Sequence, residues 1–454
     1  MSSAAISDTS HRMNVPALLA ALLGVVVVTL DISLTSTAVP AIAEGIGVSP
    51  AHTIWIINIY YLTVVASLLP LAALGEIHGH RVIFFIGLGV FALGSLLSGL
   101  ADSLSVLMTG RGLLGIGSAA VSATTPALIR TLYPPSRLAY GLGLYAMVVG
   151  IAFTVGPTAA SAILAVVDWP WLFLASVPFT LLAIIMAFKS LPPTERNVRS
   201  FDVGSSLLCA GMFACLLYGI AGVAHLGWQH IVPAFLGSAA CGYWLRRREA
   251  GHTAPLLAAD LFRIRLFTLS AMTAVCAFSV QGLVFVVLPF LLHFKLGYSL
   301  VEAGFLITPW PATLTVMTLI APPLVQRIAP GVLGGVGLII LGSGLALLTT
   351  LSEPAGIHEI AWRLVVCGIG FGLFQSPNMV ALMSSAPPHR SGGAGGILAT
   401  ARLLGQAIGA ASVAFCLSWW PDHGIETALW LGVAVAIVGS SVSFLRVTAF
   451  GRDS

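Results

Sequence analysis

Fourteen stretches of mostly apolar residues run almost end to end along this chain: 15–43, 53–75, 82–101, 103–129, 138–167, 169–188, 203–224, 226–245, 266–292, 303–326, 328–352, 364–388, 391–421 and 427–445. A helix needs about 20 such residues to cross the hydrocarbon core of a bilayer. Inside lipid each segment has to satisfy its own backbone polar groups, so segments of this kind fold as helices. The expected fold class is an all-α polytopic membrane protein. Charge agrees, because Lys, Arg, Asp and Glu make up only 8% of the 454 residues, against about 25% in an ordinary soluble chain. Large soluble folds, disordered chains and nucleic-acid binders are excluded. The net charge of +4 reflects where the basic residues sit rather than an anionic partner.

An even number of spans puts both termini on one side. With the N-terminus cytoplasmic, sixteen basic residues fall inside: Arg12, Arg81, Arg130, Arg137, Lys189, Arg196, Arg199, Arg246, Arg247, Arg248, Arg263, Arg265, Arg327, Arg390, Arg446 and Arg452. Lys295 and Arg363 fall outside, and Arg111 and Arg402 lie within spans. This split follows the positive-inside rule. A twelve-span reading that merges or drops 203–224 and 226–245 keeps the same sidedness. Length favours two spans there, since 203–245 holds no Lys, Arg, Asp or Glu. No cleavable signal peptide is expected, because the first apolar run is long and continues into an acidic position. The six cysteines all fall within spans without metal-ligand spacing and read as small packing residues.

The two longest polar segments, 189–202 and 246–265, bracket a helix pair. The chain then divides into a cytoplasmic N-terminus (1–14), six spans (15–188), linkers flanking two inserted spans (189–265), six more spans (266–445) and a cytoplasmic tail (446–454). Small residues cluster at 110–119, 141–156 and 392–410, the composition that lets helix backbones approach closely in lipid.

Ionisable groups inside a membrane are costly and are functional candidates by default. Asp31 is the only carboxylate well inside a span. Desolvation favours its neutral form and a nearby cation its charged form, so an acid whose partner comes and goes exchanges protons. Arg111 is the candidate partner, since it lies roughly 12 Å into its helix, at a matching depth. A permanent buried ion pair is the alternative. Arg402 is again mid-span, with no acid nearby in sequence; a backbone carbonyl or a substrate acceptor is its expected partner. The other polar positions facing the membrane are Asn58, Tyr60, Tyr61, Gln281, Trp310, Gln375 and Asn378. Aromatics with a few amides suit a cavity for amphipathic ligands, and they suit ordinary interhelical hydrogen bonding as well. Trp171, Trp228 and Trp419 fall near span ends, where tryptophan anchors the interface. The eleven histidines are scattered, and the pair His78 and His80 has no completing ligands, so no metal site is expected. No phosphate-binding GxxxxGK[ST] loop, serine elbow or HExxH motif occurs, so neither ATP hydrolysis nor another enzyme activity is expected.

In order along the chain, several short patterns resemble the major facilitator superfamily, and within it the fourteen-helix drug:H+ antiporters. LDISLTSTAVPAI at 30–42 is similar to L-D-x-T-x-x-N-x-A-L-P-x-I, and WIINIYYL at 55–62 to W-x-x-x-x-Y-x-L. RGLLGIGSAA at 111–120 is similar to R-x-x-Q-G-x-G-x-A, with Leu114 in place of Gln. Gly150, Gly156 and Pro157 resemble the antiporter motif G-x-x-x-G-P-x-x-G-G, with a longer first spacing and Ala160-Ser161 in place of the glycine pair. DWPWLFLASVP at 168–178 and TARLLGQAIG at 400–409 complete the series. The loop between the second and third spans departs from G-x-L-a-D-R-x-G-R-[RK]: it reads ALGEIHGHR, with Glu76 for the Asp and with Ile77 and His80 for basic residues.

The resemblance implies two six-helix bundles rocking around a central cavity, with the seventh and eighth helices packed outside. It implies a proton-coupled exporter of lipophilic, cationic small molecules, taken from the cytoplasm or inner leaflet. Asp31 would be the proton site and Arg111 its regulator. Asn58, Tyr61, Gln281, Trp310, Gln375, Asn378 and Arg402 would line the substrate cavity. Glu76 and Arg81 would keep part of a cytoplasmic latch on the outward-open state. No cofactor is implied, only a proton gradient. The expected setting is a bacterial inner membrane, with lipid, small molecules and H+ as partners, no nucleic acid, and a monomer as the working unit. A narrow exporter of one metabolite or antibiotic is the rival reading. A proton-coupled importer is a further one, opposed by the Gly156-Pro157 signature.

Overall fold

The computed structural model describes residues 14–133, 138–194, 201–223, 226–250, 259–325, 327–351, 355–387 and 390–450. The expected N-terminal segment before Asn14, parts of both linkers and the last four residues lie outside them. The described chain is helical throughout its length: α1 (Val15–Ile46), α2 (Trp55–His78), α3 (His80–Gly99), α4 (Leu104–Leu132), α5 (Leu138–Leu164), α6 (Trp171–Ser190), α7 (Val203–Gly222), α8 (Trp228–Glu249), α9 (Arg265–Phe290), α10 (Leu300–Ile307, resuming as Pro309–Val325), α11 (Pro330–Thr349), α12 (Ile357–Ser385), α13 (Ser391–Trp419) and α14 (Gly424–Phe450). Thirteen helices among the described residues are long and apolar enough to cross a membrane. Helix α8 is also 22 residues long, but it closes on Arg246, Arg247, Arg248 and Glu249. Helix α14 runs on through Arg446 to Phe450, into the segment expected as a tail.

Polar residues at the helix ends set the boundaries. Asn14 caps α1 by accepting from the Ala17 amide at 3.1 Å, and its own amide donates to the Ser190 carbonyl at the end of α6. Asp202 caps α7 through the Ser205 amide. Ser299 and Glu302 form a reciprocal capping box at the start of α10. Prolines sit inside α1, α2, α4, α5, α9 and α12. In lipid such breaks persist where neighbouring helices resatisfy the freed backbone.

The first six helices pack mainly on one another, as do the last six, and the two groups meet mainly where α2 lies on α13, α5 on α10, and α1 on α9. Helix α7 lies against both α2 and α13, and α8 packs on α7. The inserted pair thus stands at the edge of the seam that α2 and α13 form. The Tyr218 ring of α7 sits 6.2 Å from that of Trp55 on α2.

Candidate functional site

Asp31 and Arg111 meet in the core of the first six helices. Arg111 Nη1 donates to Asp31 Oδ2 across 2.6 Å, and neither side chain is open to solvent. The guanidinium has further support. Its Nε donates to the Ile56 carbonyl on α2 at 3.2 Å, and its plane lies 4.5 Å from the Tyr60 ring and 5.7 Å from the Phe173 ring. One arginine thereby ties α1, α2 and α6 together. An ion pair so placed repays its desolvation only with good geometry and added hydrogen bonds, and this one has both. Its Nη2 remains without a hydrogen-bond partner, so one donor is left for another acceptor.

Next to the pair, Tyr61 is buried, its ring edge-on to Tyr60 at 5.8 Å. Asn58, one turn earlier on α2, is 4% exposed, and neither of its amide atoms has a partner. A buried amide without partners is costly, which marks this face of α2 as a place for a ligand or water. Trp310 is fully buried on α10, and its Nε1 is likewise unpartnered. Its ring lies 5.7 Å from Phe285, which lies 5.0 Å from Phe153 of α5, so an aromatic chain crosses from one half to the other. Gln375 is half-buried with Oε1 unpartnered.

Other expected cavity residues have protein partners. Gln281 Oε1 accepts from Gln406 Nε2 at 3.0 Å, joining α9 to α13. Asn378 Oδ1 accepts from Arg446 Nη1 at 2.6 Å, deep in the second half. Arg446 itself is 1% exposed, and Nη1 also donates to Ser270 Oγ at 3.3 Å. Arg402 lies on α13, which packs on α2 of the other half, within electrostatic reach of the Tyr60, Tyr61 and Tyr145 hydroxyls. Glu76 is exposed, and Arg81 turns from it toward α6: its Nη2 donates to the Phe188 carbonyl at 3.0 Å, and its backbone amide to Thr194 Oγ1 at 3.2 Å.

Toward the end of the bundle that the basic residues assign to the outside, α5 and α10 close on each other. Thr158 and Thr308 share a hydrogen bond of 2.7 Å between α5 and α10. Thr154 donates to the Pro311 carbonyl at 3.0 Å and lies 2.8 Å from the Thr315 hydroxyl. Gly304 lies so close to α5 that a Cβ there would fall 1.9 Å from Ser161 Oγ and 3.0 Å from the Pro157 carbonyl. Gly156 is pressed in the same way onto α1, where a Cβ would meet Ser33 Oγ at 2.1 Å, while Gly150 has open space beside it. At the rim, His293 Nε2 stands 2.9 Å from Glu44 Oε1 and Nδ1 stands 2.8 Å from the Tyr298 carbonyl.

The threonines, Ser161, Glu44 and His293 do not stand out in the sequence. A signal was present in the four-residue spacing of Thr154 and Thr158 and the seven-residue spacing of Thr308 and Thr315, which put each pair on one helix face.

Known proteins are similar to this chain over nearly all of it. The family description Major Facilitator Superfamily matches residues 21–410. The chain is 41% identical to "Uncharacterized transporter YebQ" of Escherichia coli (strain K12), over 95% of each chain. It is 29% identical to "Multidrug resistance protein Stp" of Mycobacterium tuberculosis (strain CDC 1551 / Oshkosh), over 92% of this chain and 79% of that one. It is 30% identical to "Tetracenomycin C resistance and export protein" of Streptomyces glaucescens, over 87% and 74%.

Proposed function

The chain belongs to the Major Facilitator Superfamily, and from that premise we propose that it is a proton-coupled exporter of lipophilic small molecules. The observation that carries the proposal is the Asp31–Arg111 pair, which holds the one carboxylate deep within the spans against a buried guanidinium. Separating the two on a change of state would raise the proton affinity of Asp31, and restoring the contact would lower it. Proton uptake from outside then becomes linked to which side the cavity faces. The three main contacts between the halves, with α5 and α10 closed on each other toward the outer end, suit alternating access by rocking of two bundles.

In this reading fourteen helices cross a bacterial inner membrane, with both termini cytoplasmic and the α7–α8 pair peripheral. The working unit is a monomer, and the proton gradient is the energy source. Asn58, Tyr61, Trp310, Gln375 and Arg402 offer contacts to cargo, and Gln281 and Asn378 hold the wall behind them. Glu76 and Arg81 would latch the cytoplasmic side only in the other state. The name of the Stp relative supports a broad cargo range. That of the tetracenomycin C relative supports a narrow exporter of one compound. Competition among unrelated lipophilic compounds separates the two.

The test is flux in proteoliposomes under an imposed pH gradient, comparing wild type with Asp31→Asn. Gradient-driven antiport lost in Asp31→Asn is the expected result. An Asp31→Asn protein that still releases protons when cargo is added would refute the proposal, and flux running only inward would favour an importer.

A further inference from the structure

Three arginines lie deep in this bundle, and they differ in what surrounds them. Arg111 has the Asp31 carboxylate, a backbone carbonyl and the Tyr60 ring. Arg446 has Asn378, Ser270 and Ser443. Arg402 has neither a carboxylate nor a hydrogen-bond acceptor among the described residues. It sits eleven residues into the 29-residue helix α13, roughly 16 Å from the helix start. It is half-buried rather than sealed, on the helix that packs against α2 of the opposite half, and the Tyr60, Tyr61 and Tyr145 hydroxyls are within reach of its charge.

Four of the described carboxylates are committed elsewhere, and Glu76 is exposed. Asp31 is bound to Arg111. Glu302 caps its own helix, Glu426 pairs with Lys295, and Glu359 pairs with Arg363. A cation in a low-dielectric interior needs a counter-charge with hydrogen-bonding capacity, and the described residues supply none to Arg402. The seam between the halves therefore carries an unneutralised positive charge beside tyrosine hydroxyls able to donate. On α2, Asn58 lies three residues from Tyr61, on the same helix side, and its amide is unpartnered. A lipophilic cation, the cargo implied by the resemblance, would meet repulsion there.

We infer that Arg402 binds an anionic group of the cargo, and that the transported class is lipophilic small molecules bearing a carboxylate or a similar monoanion. The guanidinium supplies a planar two-donor fork that matches a carboxylate, and the aromatic residues supply contact for the apolar remainder. The inference rests on the exporter reading for the word cargo, but the binding preference stands without a gradient.

The experiment uses purified full-length protein in lipid nanodiscs and three probes sharing one fluorophore: dansylglycine, an anion; its neutral amide, dansylglycinamide; and dansylcadaverine, a cation. Binding is read as fluorescence displaced by excess unlabelled N-acylglycine, which removes partition into lipid from the signal. Wild type should bind dansylglycine about 10- to 100-fold tighter than the amide, the range for a charged hydrogen bond, and tighter still than the cation. Arg402→Gln should erase that preference and Arg402→Lys should retain part of it, which separates charge recognition from a folding defect. Equal binding of the three probes, preference for the cation, absence of displaceable dansylglycine binding, or a preference unchanged in Arg402→Gln would each overturn the inference. The exporter reading fails separately: Asp31→Asn tests gradient-driven flux, whereas these titrations are made at equilibrium without a gradient.

Discussion

Asp31 and Arg111 are 80 residues apart in sequence and 2.6 Å apart in space, paired in the core with no exposure to solvent. Each neutralises a charge that the surrounding helices could not hold alone. Truncating either partner to Ala should therefore destabilise the protein by about 3–5 kcal/mol, because the other is left buried and uncompensated. The fall in thermal unfolding midpoint of the purified protein measures this. The double change Asp31→Asn, Arg111→Gln should lose less than either truncation. A double variant no better than the singles would show that the pair is not the source of the effect.

Gly304 packs against α5 across the seam toward the outer end, with no room for a Cβ. Gly304→Ala should strain the outer-closed state by about 1–3 kcal/mol and leave an outer-open state untouched. An impermeant maleimide applied outside should then label a cysteine placed at Thr158 faster than it does without the substitution. Unchanged labelling would mean that α5 and α10 yield cheaply. Ser161→Gly should relieve most of the strain, since the remaining contacts, 3.0 Å to the Pro157 carbonyl and 3.1 Å to Thr37 Cγ2, need only small shifts.

The rim contact between His293 and Glu44 joins the turn after α9 to the end of α1. The Tyr298 carbonyl only accepts, so Nδ1 must donate to it, and Nε2 can then donate to the Glu44 carboxylate only when the ring carries a second proton. Glu44→Ala should remove this contact and loosen the outer closure, read again by labelling at Thr158. Glu44→Gln can keep a contact, its amide N–H donating to Nε2, and should label more slowly than Glu44→Ala. Labelling unchanged in Glu44→Ala would mean that the contact does not hold the outer end closed.

At the end of the bundle that the basic residues assign to the cytoplasm, Arg390 Nε donates to Asp260 Oδ2 at 3.0 Å, joining the segment before α9 to the start of α13. The Arg390 guanidinium holds the Asp260 carboxyl below the usual aspartate range. The stabilisation from a depressed carboxylate is present above its unfolded value and is lost as pH falls through its folded value. Because Asp260 is about half exposed (48%), screening keeps the contribution under about 1 kcal/mol. Asp260→Asn should lower the melting midpoint slightly at pH 7 and not at all at a pH below both values, with the gap shrinking in high salt. A gap that persists in strong acid would point to packing rather than charge.

The sequence alone determined that this chain crosses a membrane many times, and nearly where each helix begins and ends. Those properties are local: apolar run length, caps such as Asn14 and Asp202, and the cost of charge in lipid. The same cost singled out Asp31 and Arg111, and 1.5 Å of rise per residue placed them at one depth. Depth along a helix is thus legible, but direction around it is not. In a soluble protein, polar residues mark the outward face of each helix. Here both the lipid-facing and the core-facing sides are apolar, so no periodicity reports which way a side chain turns. Only the tertiary structure could therefore decide that Asn378 meets Arg446 across 68 positions, that Gln281 meets Gln406 across 125, and that Arg81 turns to α6 rather than to Glu76. It alone left Arg402, on a helix at the seam, without a partner among the described residues, because that depends on which helix faces lie opposite α13, and packing sets this, not sequence order.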